Sequence, residues 1–491
     1  MDNWKWEISN INFLENTVKR CKENQIILPT FEQLKHPHKI PAKIKEALLK
    51  IDIQDVHPLN LFRINWNNNP SDKSIGDINF LEIPREITGV KARIIGLVGK
   101  YFPTGAHKVG ATYGCLAPYL VTGKFNPDYH KAVWPSTGNY CRGGAFNSAL
   151  LSVHSVAILP EEMSKERFTW LKNIGSEVHA THGCESNVKE IYDKCHELEA
   201  ESDEYVIFNQ FDQFGNPIWH YEITGNTIDE LFRKIKDKDQ RLSAYVSATG
   251  SAGTIGAGDY LRKLYPNIKI LASEALQCPT LLMNGFGGHR IEGIGDKHIP
   301  WIHNVKNTDA VCAINDEDPL RLLRLFNEAE GQKYLETLGV DKDVIQKLPE
   351  LGISCISNLL SAIKLAKYYE YSENDVIFTI FTDSAELYQS RLQEMNDNWG
   401  NYTTNQAAID WNSVMKNQGI DYLKELNYYD KKTIHNLKYF TWVEQQGKDV
   451  EELNAQWYDD NYWDDRFSIT PQWDKLINEF NRKVGINLYD N

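Results

Sequence analysis

No two of the eight cysteines stand in a Cys-x-x-Cys spacing, so the chain shows neither the ligand pattern of a structural zinc site nor a disulfide framework. They read as reduced, mostly buried thiols, and no metal site is expected. No long lysine- or arginine-rich block occurs, and the formal net charge is -14 at pH 7. A surface of that sign repels phosphate backbones, which excludes nucleic acid as an expected partner. No stretch reaches the about 18 consecutive apolar residues of a membrane span, and the opening MDNWKWEISN has no basic segment leading into an apolar run. The expectation is therefore no membrane association and a cytoplasmic setting. Internal repeats and low-complexity tracts are also missing.

What is present is the composition of a large globular protein: 491 residues, 42% hydrophobic and 24% charged, with 31 glycines. From about residue 90 short apolar runs alternate with amphipathic stretches. Strands are expected over Ala92 to Val98, Lys131 to Trp134, Ser155 to Leu159, Glu177 to Thr181, Tyr205 to Asn209, Ser243 to Ala248, Ile268 to Ser273 and Val376 to Phe381. Helical stretches such as Glu161 to Asn173 and Pro217 to Lys236 lie between them. This alternation implies open parallel α/β sheets, which bind ligands at the carboxyl ends of their strands. Two regions depart from it. Residues 1–85 read as irregular, with a Pro/Asn-rich patch from His57 to Pro70, and residues 392–491 are rich in Trp, Tyr, Asn and Asp with little periodicity. Aromatic residues at that density are foreign to disordered tails, so both extensions are expected to pack on the core.

Three strand-to-helix junctions carry candidate chemistry. The first, Pro103-Thr104-Gly105-Ala106-His107-Lys108, places a lysine at a helix start, where unpaired backbone N–H groups and the positive dipole end disfavour its ammonium form and suit a neutral amine or an imine. The second, Trp134-Pro135-Ser136-Thr137-Gly138-Asn139-Tyr140, offers hydroxyl, amide and backbone donors for an anion. The third, Thr249-Gly250-Ser251-Ala252-Gly253-Thr254, is small enough for backbone N–H groups to close on a phosphate. It has neither the Gly-Lys-Ser/Thr ending of a nucleoside triphosphate loop nor the G-x-G-x-x-G of a dinucleotide site. A lysine, one phosphate cup and a Ser/Thr/Asn loop together describe a pyridoxal phosphate site better than a nucleotide site.

Residues from about 81 to 391 resemble the fold-type II pyridoxal phosphate enzymes, in the branch of cysteine synthase and cystathionine β-synthase. The resemblance rests on "PTGAHK", "STGN", "FNQFDQFGNPIWHYEITGNT", "GSAGT", "HRIEGIG" and "TDSAELYQSRL" in this order. It implies two open parallel-sheet α/β domains within residues 86–391, the smaller at about 103–210, flanked by the N-terminal extension 1–85 and the aromatic-rich extension 392–491. It further implies pyridoxal 5'-phosphate held covalently by Lys108, with Asn139 on its phenolic oxygen. Gly250, Ser251, Ala252, Gly253 and Thr254 are implied at its phosphate, and Ser384 at its pyridine nitrogen. Ser136, Thr137 and Gly138 are implied to receive the substrate carboxylate with support from Gln210, while Gly293 and Gly295 line the substrate cleft.

The implied activity is β-elimination or β-replacement on an amino acid with a leaving group at Cβ, through an aminoacrylate, with a thiol or sulfide as second substrate, in a homodimer. A hydroxyl at Ser384 favours this over transamination, since it does not keep the pyridine nitrogen protonated as a carboxylate does. An ammonia-lyase of the serine/threonine dehydratase or diaminopropionate type is the alternative within enzymes, and a non-catalytic binding module the alternative outside them. Departures from the family pattern are Ser251 and Ala252, where Thr and Gly are usual, and Tyr140 beside the carboxylate loop. His107 before the lysine resembles the tryptophan synthase β subunit. His179 and His182 read as ordinary surface histidines, and "WYDDNYWDD", Trp457 to Asp465, as a solvated acidic face.

Overall fold

The computed structural model describes residues 6–136, 138–184 and 187–487. Eleven strands form two sheets: β1 Phe80–Ile83, β2 Arg93–Val98, β3 Lys131–Pro135, β4 His154–Pro160, β5 Glu177–Thr181, β6 Tyr205–Ile207, β7 Arg241–Ala248, β8 Lys269–Ala275, β9 Ala310–Ile314, β10 Asp375–Phe381 and β11 Leu423–Glu425. The smaller sheet has the order β5-β4-β3-β6 and is wholly parallel. The larger has the order β1-β2-β10-β7-β8-β9-β11. Its five inner strands are parallel, and its two edges are capped by antiparallel strands. Every residue of β10, Asp-Val-Ile-Phe-Thr-Ile-Phe, is buried, as expected for a parallel strand covered on both faces by helices.

The expected strands all occur, with Tyr205 to Asn209 ending earlier, at Ile207. Asn209 instead turns the chain, its Oδ1 accepting from the backbone N–H of Phe211. The expected continuous helix Pro217 to Lys236 is interrupted. Helices Gly215–Trp219 and Asn226–Ile235 flank a wider π-turn, His220–Gly225, where the His220 ring bonds the Thr224 hydroxyl. The segment expected to be helical from Glu161 begins its helix at Lys165, because Glu161 continues from β4 and bonds back to Thr181.

The extensions correct the reading of irregularity. The first 85 residues contain helices Ile11–Glu23, Phe31–Lys35 and Ala42–Leu48, and the C-terminal region is largely helical, ending in Thr470–Val484. Trp473, Ile477, Phe480 and Val484 of that last helix are buried on a single face, which packs on Ile11–Glu23 and on the helix Lys108–Val121. Polar side chains join the extensions to each other: the Asn481 amide makes two hydrogen bonds with the Leu28 backbone, at 2.9 and 2.8 Å, and the Asp474 carboxylate accepts from the Phe31 and Glu32 N–H groups. In the WYDDNYWDD segment Trp457, Tyr462 and Trp463 are buried while Asp459, Asp460, Asp464 and Asp465 face solvent.

Candidate active site

Lys108 opens the helix Lys108–Val121, which follows β2 after two short 3-10 turns, Gly99–Tyr101 and Pro103–Gly105, and the cup loop follows β7. The two converge at the carboxyl ends of adjacent parallel strands β2, β10 and β7, where Lys108, Gly250, Ser251, Ala252, Thr254 and Gly293 line one cleft. Ser247, Asn358, Ile380 and Thr382 line the same cleft, and none of them stands out in the sequence.

The lysine loop is held from several sides. Thr104, at φ 70, occupies the left-handed region that a threonine adopts only when its surroundings fix it, at about 1–3 kcal/mol of strain. Its N–H donates to the Gln54 side chain, so the N-terminal extension helps define the loop. His107 is fully buried: its ring lies edge-on to His220 at 4.9 Å, and Nε2 is 3.3 Å from Thr382 Oγ1. Burial, reinforced by the charge of Lys108, pushes its pKa down to about 3. The imidazole is therefore neutral and adds no positive charge beside the lysine amine. The helix Asn139–Leu150 crosses close by, with Gly143 in backbone contact with Lys108 and Val109.

The cup is shaped by a residue that sequence reading passes over. Asn216 Nδ2 donates to the Gln210 carbonyl at 2.9 Å and to Ser251 Oγ at 3.1 Å, while its Oδ1 lies where a Cβ on Gly253 would be. Gly253 is thus packed against Asn216. Ser251 Oγ also accepts from the Gly253 N–H, leaving its own hydrogen to donate. Among the described residues the N–H groups of Ser251, Ala252 and Thr254 make no hydrogen bond to protein. Ala252 has φ 60, a conformation natural to the glycine usual at this place, and an alanine there carries about 1–2 kcal/mol of strain. The loop after β8 closes over the cup: the Gly295 N–H donates to Thr249 O, and Gly250 abuts the Gly293 carbonyl.

Asn139 starts the helix that contacts Lys108, with Nδ2 donating to Asp383 Oδ2 at 2.6 Å, while its buried Oδ1 has no partner among the described residues. Tyr388 donates to the same Asp383 oxygen at 2.7 Å. Ser136 Oγ accepts from the Gly138 N–H, and the Arg167 guanidinium lies where a Cβ on Gly138 would be. Arg167 and Arg391 both pair with the buried Glu292, which links the helix after β4 to the Gly293–Gly295 loop. Gln210 is buried beside the cup with its Oε1 unpartnered among the described residues. Thr137 lies outside the described residues. Ser384 is buried one residue beyond Asp383 and outside the cleft lining, where Thr382 stands instead.

The residues fit a pyridoxal phosphate. Unbonded N–H groups and a hydroxyl hydrogen in the cup suit its phosphate, the unpartnered buried Oδ1 of Asn139 suits its ring hydroxyl, and Lys108 lines the same cleft as the cup. The fold and this cleft define a fold-type II pyridoxal phosphate enzyme. The model of the family described as "Pyridoxal-phosphate dependent enzyme" matches residues 99–333. Among similar proteins, cysteine synthase of Staphylococcus aureus is 30% identical over 269 residues, covering 55% of this chain and 78% of the relative. The probable cysteine synthase of Bacillus subtilis is 28% identical over 317 residues, 64% of this chain and 94% of the relative. The solved structure of O-acetylserine sulfhydrylase isoform 3 from Entamoeba histolytica superposes with a TM-score of 0.57 at 21% identity, over 71% of this chain and 98% of its own, a likeness of fold. The chain belongs to the pyridoxal-phosphate-dependent family of cysteine synthase and cystathionine β-synthase. It is an enzyme of the β-elimination and β-replacement class.

Proposed function

We propose that the protein replaces a leaving group at the β-carbon of a small amino acid, with a thiol or sulfide as the incoming nucleophile. The observation that carries this reading is the meeting of Lys108, the 250–254 cup and the strand-end hydroxyl Thr382 at one cleft, in a chain of this family. The cofactor, when bound, supplies an electron-withdrawing ring that acidifies the substrate Cα–H.

The chain supplies the rest. Lys108 Nζ would hold the cofactor, and its amine, once free, would take the substrate Cα proton as general base. Its place at a helix start, where the positive dipole end disfavours an ammonium, suits the uncharged amine that this task needs. Ser136, Thr137 and Gly138 bind the substrate carboxylate, aided by the N-terminus of the helix Asn139–Leu150 and by the buried Arg167 charge against Gly138. Asn139 orients the cofactor ring, and Asp383 orients Asn139. Gln210 supports the carboxylate loop, and Gly293 and Gly295 line the substrate cleft. The two catalytic-core domains, with the smaller at about 103–210, belong to the same proposal.

The pyridine nitrogen has two candidate hydroxyl partners, Ser384 and Thr382. Ser384→Ala should weaken cofactor binding and shift the visible band, while Thr382→Val leaves the band in place. The reverse result in absorbance titrations would move the role to Thr382.

Product analysis tests the function. With O-acetylserine, the holoenzyme should form cysteine when sulfide is added and keto acid with ammonia when it is not. Keto acid alone under both conditions, from serine, threonine or O-acetylserine, would make the protein an ammonia-lyase. No turnover of any of these or of cysteine would leave a binding module. A homodimer in a reducing, cytosolic compartment completes the proposal. Among the described residues no disulfide is formed, and exposed rings such as Tyr429 and Phe440 supply apolar surface for an interface.

A further inference from the structure

The wall that closes over the phosphate cup, residues 289–295, carries its own internal brace. Two of its side chains reach outward: Arg290 pairs with Asp316, Nη2 at 3.0 Å from Oδ1, and Glu292 pairs with Arg167 and Arg391. His289 turns inward instead and is buried, spanning the loop from its first residue to its last. The Ile291 N–H donates to its Nδ1 at 3.2 Å, and its Nε2 lies 2.8 Å from the Gly295 carbonyl oxygen.

The two partners fix the state of the ring. A backbone N–H can only donate, so Nδ1 is the bare nitrogen; a carbonyl oxygen can only accept, so the ring proton sits on Nε2. Both nitrogens are thus satisfied in a neutral imidazole. Burial, the larger cause, with the Lys297 charge pushes the pKa of His289 below the usual histidine value, against the Gly295 carbonyl and the Asp316 carboxylate. The far end is built for close approach. Gly295 has φ 77, and a Cβ there would lie 2.7 Å from His289 Nε2, so glycine is what lets the ring reach the carbonyl.

Gly295 passes the constraint to the cup. Its N–H donates to Thr249 O at 3.1 Å, on the residue that precedes Gly250, and a Cβ on Gly250 would lie 2.8 Å from the Gly293 carbonyl. Thr249 is fixed in turn, its hydroxyl donating to Ser273 O at 3.1 Å on β8. Gly295 is therefore held between the His289 ring on one side and the strand end that opens the cup on the other.

We infer that His289 is a positioning residue for the cofactor's phosphate: it stands outside the cleft lining and, through Gly295, keeps the 293–295 wall closed on the 250–254 cup. The inference rests on the reading of that cup as the phosphate site. The Nε2–H bond to Gly295 carries the effect, while the Ile291 N–H bond to Nδ1 only sets which nitrogen bears the proton.

The test compares the binding of pyridoxal phosphate and of pyridoxal, which lacks the phosphate, to the apoenzyme by absorbance titration. His289→Phe, which keeps a ring and removes both bonds, should weaken pyridoxal phosphate by about three- to tenfold, the effect of one buried hydrogen bond, and leave pyridoxal unchanged. His289→Gln places an N–H at the same bond distance from the backbone as Nε2 and should restore most of the affinity. His289→Asn keeps the acceptor for the Ile291 N–H in a local turn but falls short of Gly295, and should not restore it. The glutamine and asparagine variants decide the matter by themselves if the phenylalanine variant does not fold. Equal losses for both ligands, no loss for pyridoxal phosphate, or rescue by asparagine as good as by glutamine would overturn the inference. A wild-type apoenzyme that bound pyridoxal as tightly as pyridoxal phosphate would instead overturn the reading of the cup, and the inference with it.

Discussion

Replacing Lys108 by alanine should abolish turnover and remove the covalent attachment of the cofactor in a protein that still folds. Alanine is a good residue at a helix start, and the remainder of the helix Lys108–Val121 is anchored by buried residues from Val109 to Val121. The loss follows from one amine performing two tasks. Removal of a positioned general base lowers the rate by about 10²- to 10⁴-fold, and loss of the covalent link adds to it. A small external amine should restore part of the activity of the variant, since it enters the space left by the side chain. Near-normal turnover without such an amine, in purified Lys108→Ala protein, would remove Lys108 from the mechanism.

The second large effect is expected from ending the chain after Met395. The C-terminal extension places the fully buried Trp442 and Trp473 against the core, each ring accounting for about 150–250 Å² of surface. At about 25 cal/mol per Å² this amounts to several kcal/mol per tryptophan before conformational entropy is counted. The extension also clamps the chain just beyond the Gly293–Gly295 loop. Lys438 Nζ donates to Trp301 O at 2.9 Å, His303 O at 2.7 Å and Gln456 Oε1 at 2.7 Å, and Trp442 Nε1 donates to Ile299 O at 2.8 Å. Burial pushes the Lys438 pKa well below that of an ordinary lysine, yet three acceptors match its three hydrogens. Truncation should therefore give an aggregating chain or one that has lost its cofactor. Lys438→Met, which keeps the bulk and strands the three acceptors, should lower the unfolding temperature and loosen cofactor binding in a soluble protein. A truncated chain that stayed soluble with full cofactor content would contradict a structural role for the extension.

The parts of the site that were legible in the sequence are those made by local backbone. Lys108 at a helix start and the small-residue run 250–254 after a strand can be read because their chemistry depends on neighbours in the chain. The parallel strands were legible for a similar reason, as in Val376 to Phe381, apolar but for Thr379. Asn216, Asp383 and Glu292 were not, since each matters through a partner far along the chain: Ser251, Asn139 and Arg167. Thr382, two residues before Ser384, is not marked by the pattern, and its place in the cleft lining follows only from the fold. Strands β1 and β11, four and three residues long, have no periodicity of their own and are defined by pairing with β2 and β9. In the final helix the buried stripe Trp473, Ile477, Phe480 and Val484 is interleaved with Asp474 and Asn481, whose side chains serve the backbone of residues 28–32. Those polar residues obscured a helical pattern that is regular in the fold.

Borohydride reduction of the holoenzyme, followed by proteolysis and mass mapping, tests the central assignment most directly. Reduction fixes the cofactor to whichever lysine holds it. The peptide carrying "PTGAHK" should bear the pyridoxyl phosphate group on Lys108, in about one equivalent per chain. The group on another lysine, or an unmodified Lys108 in a protein that absorbs as a pyridoxal enzyme, would contradict the account.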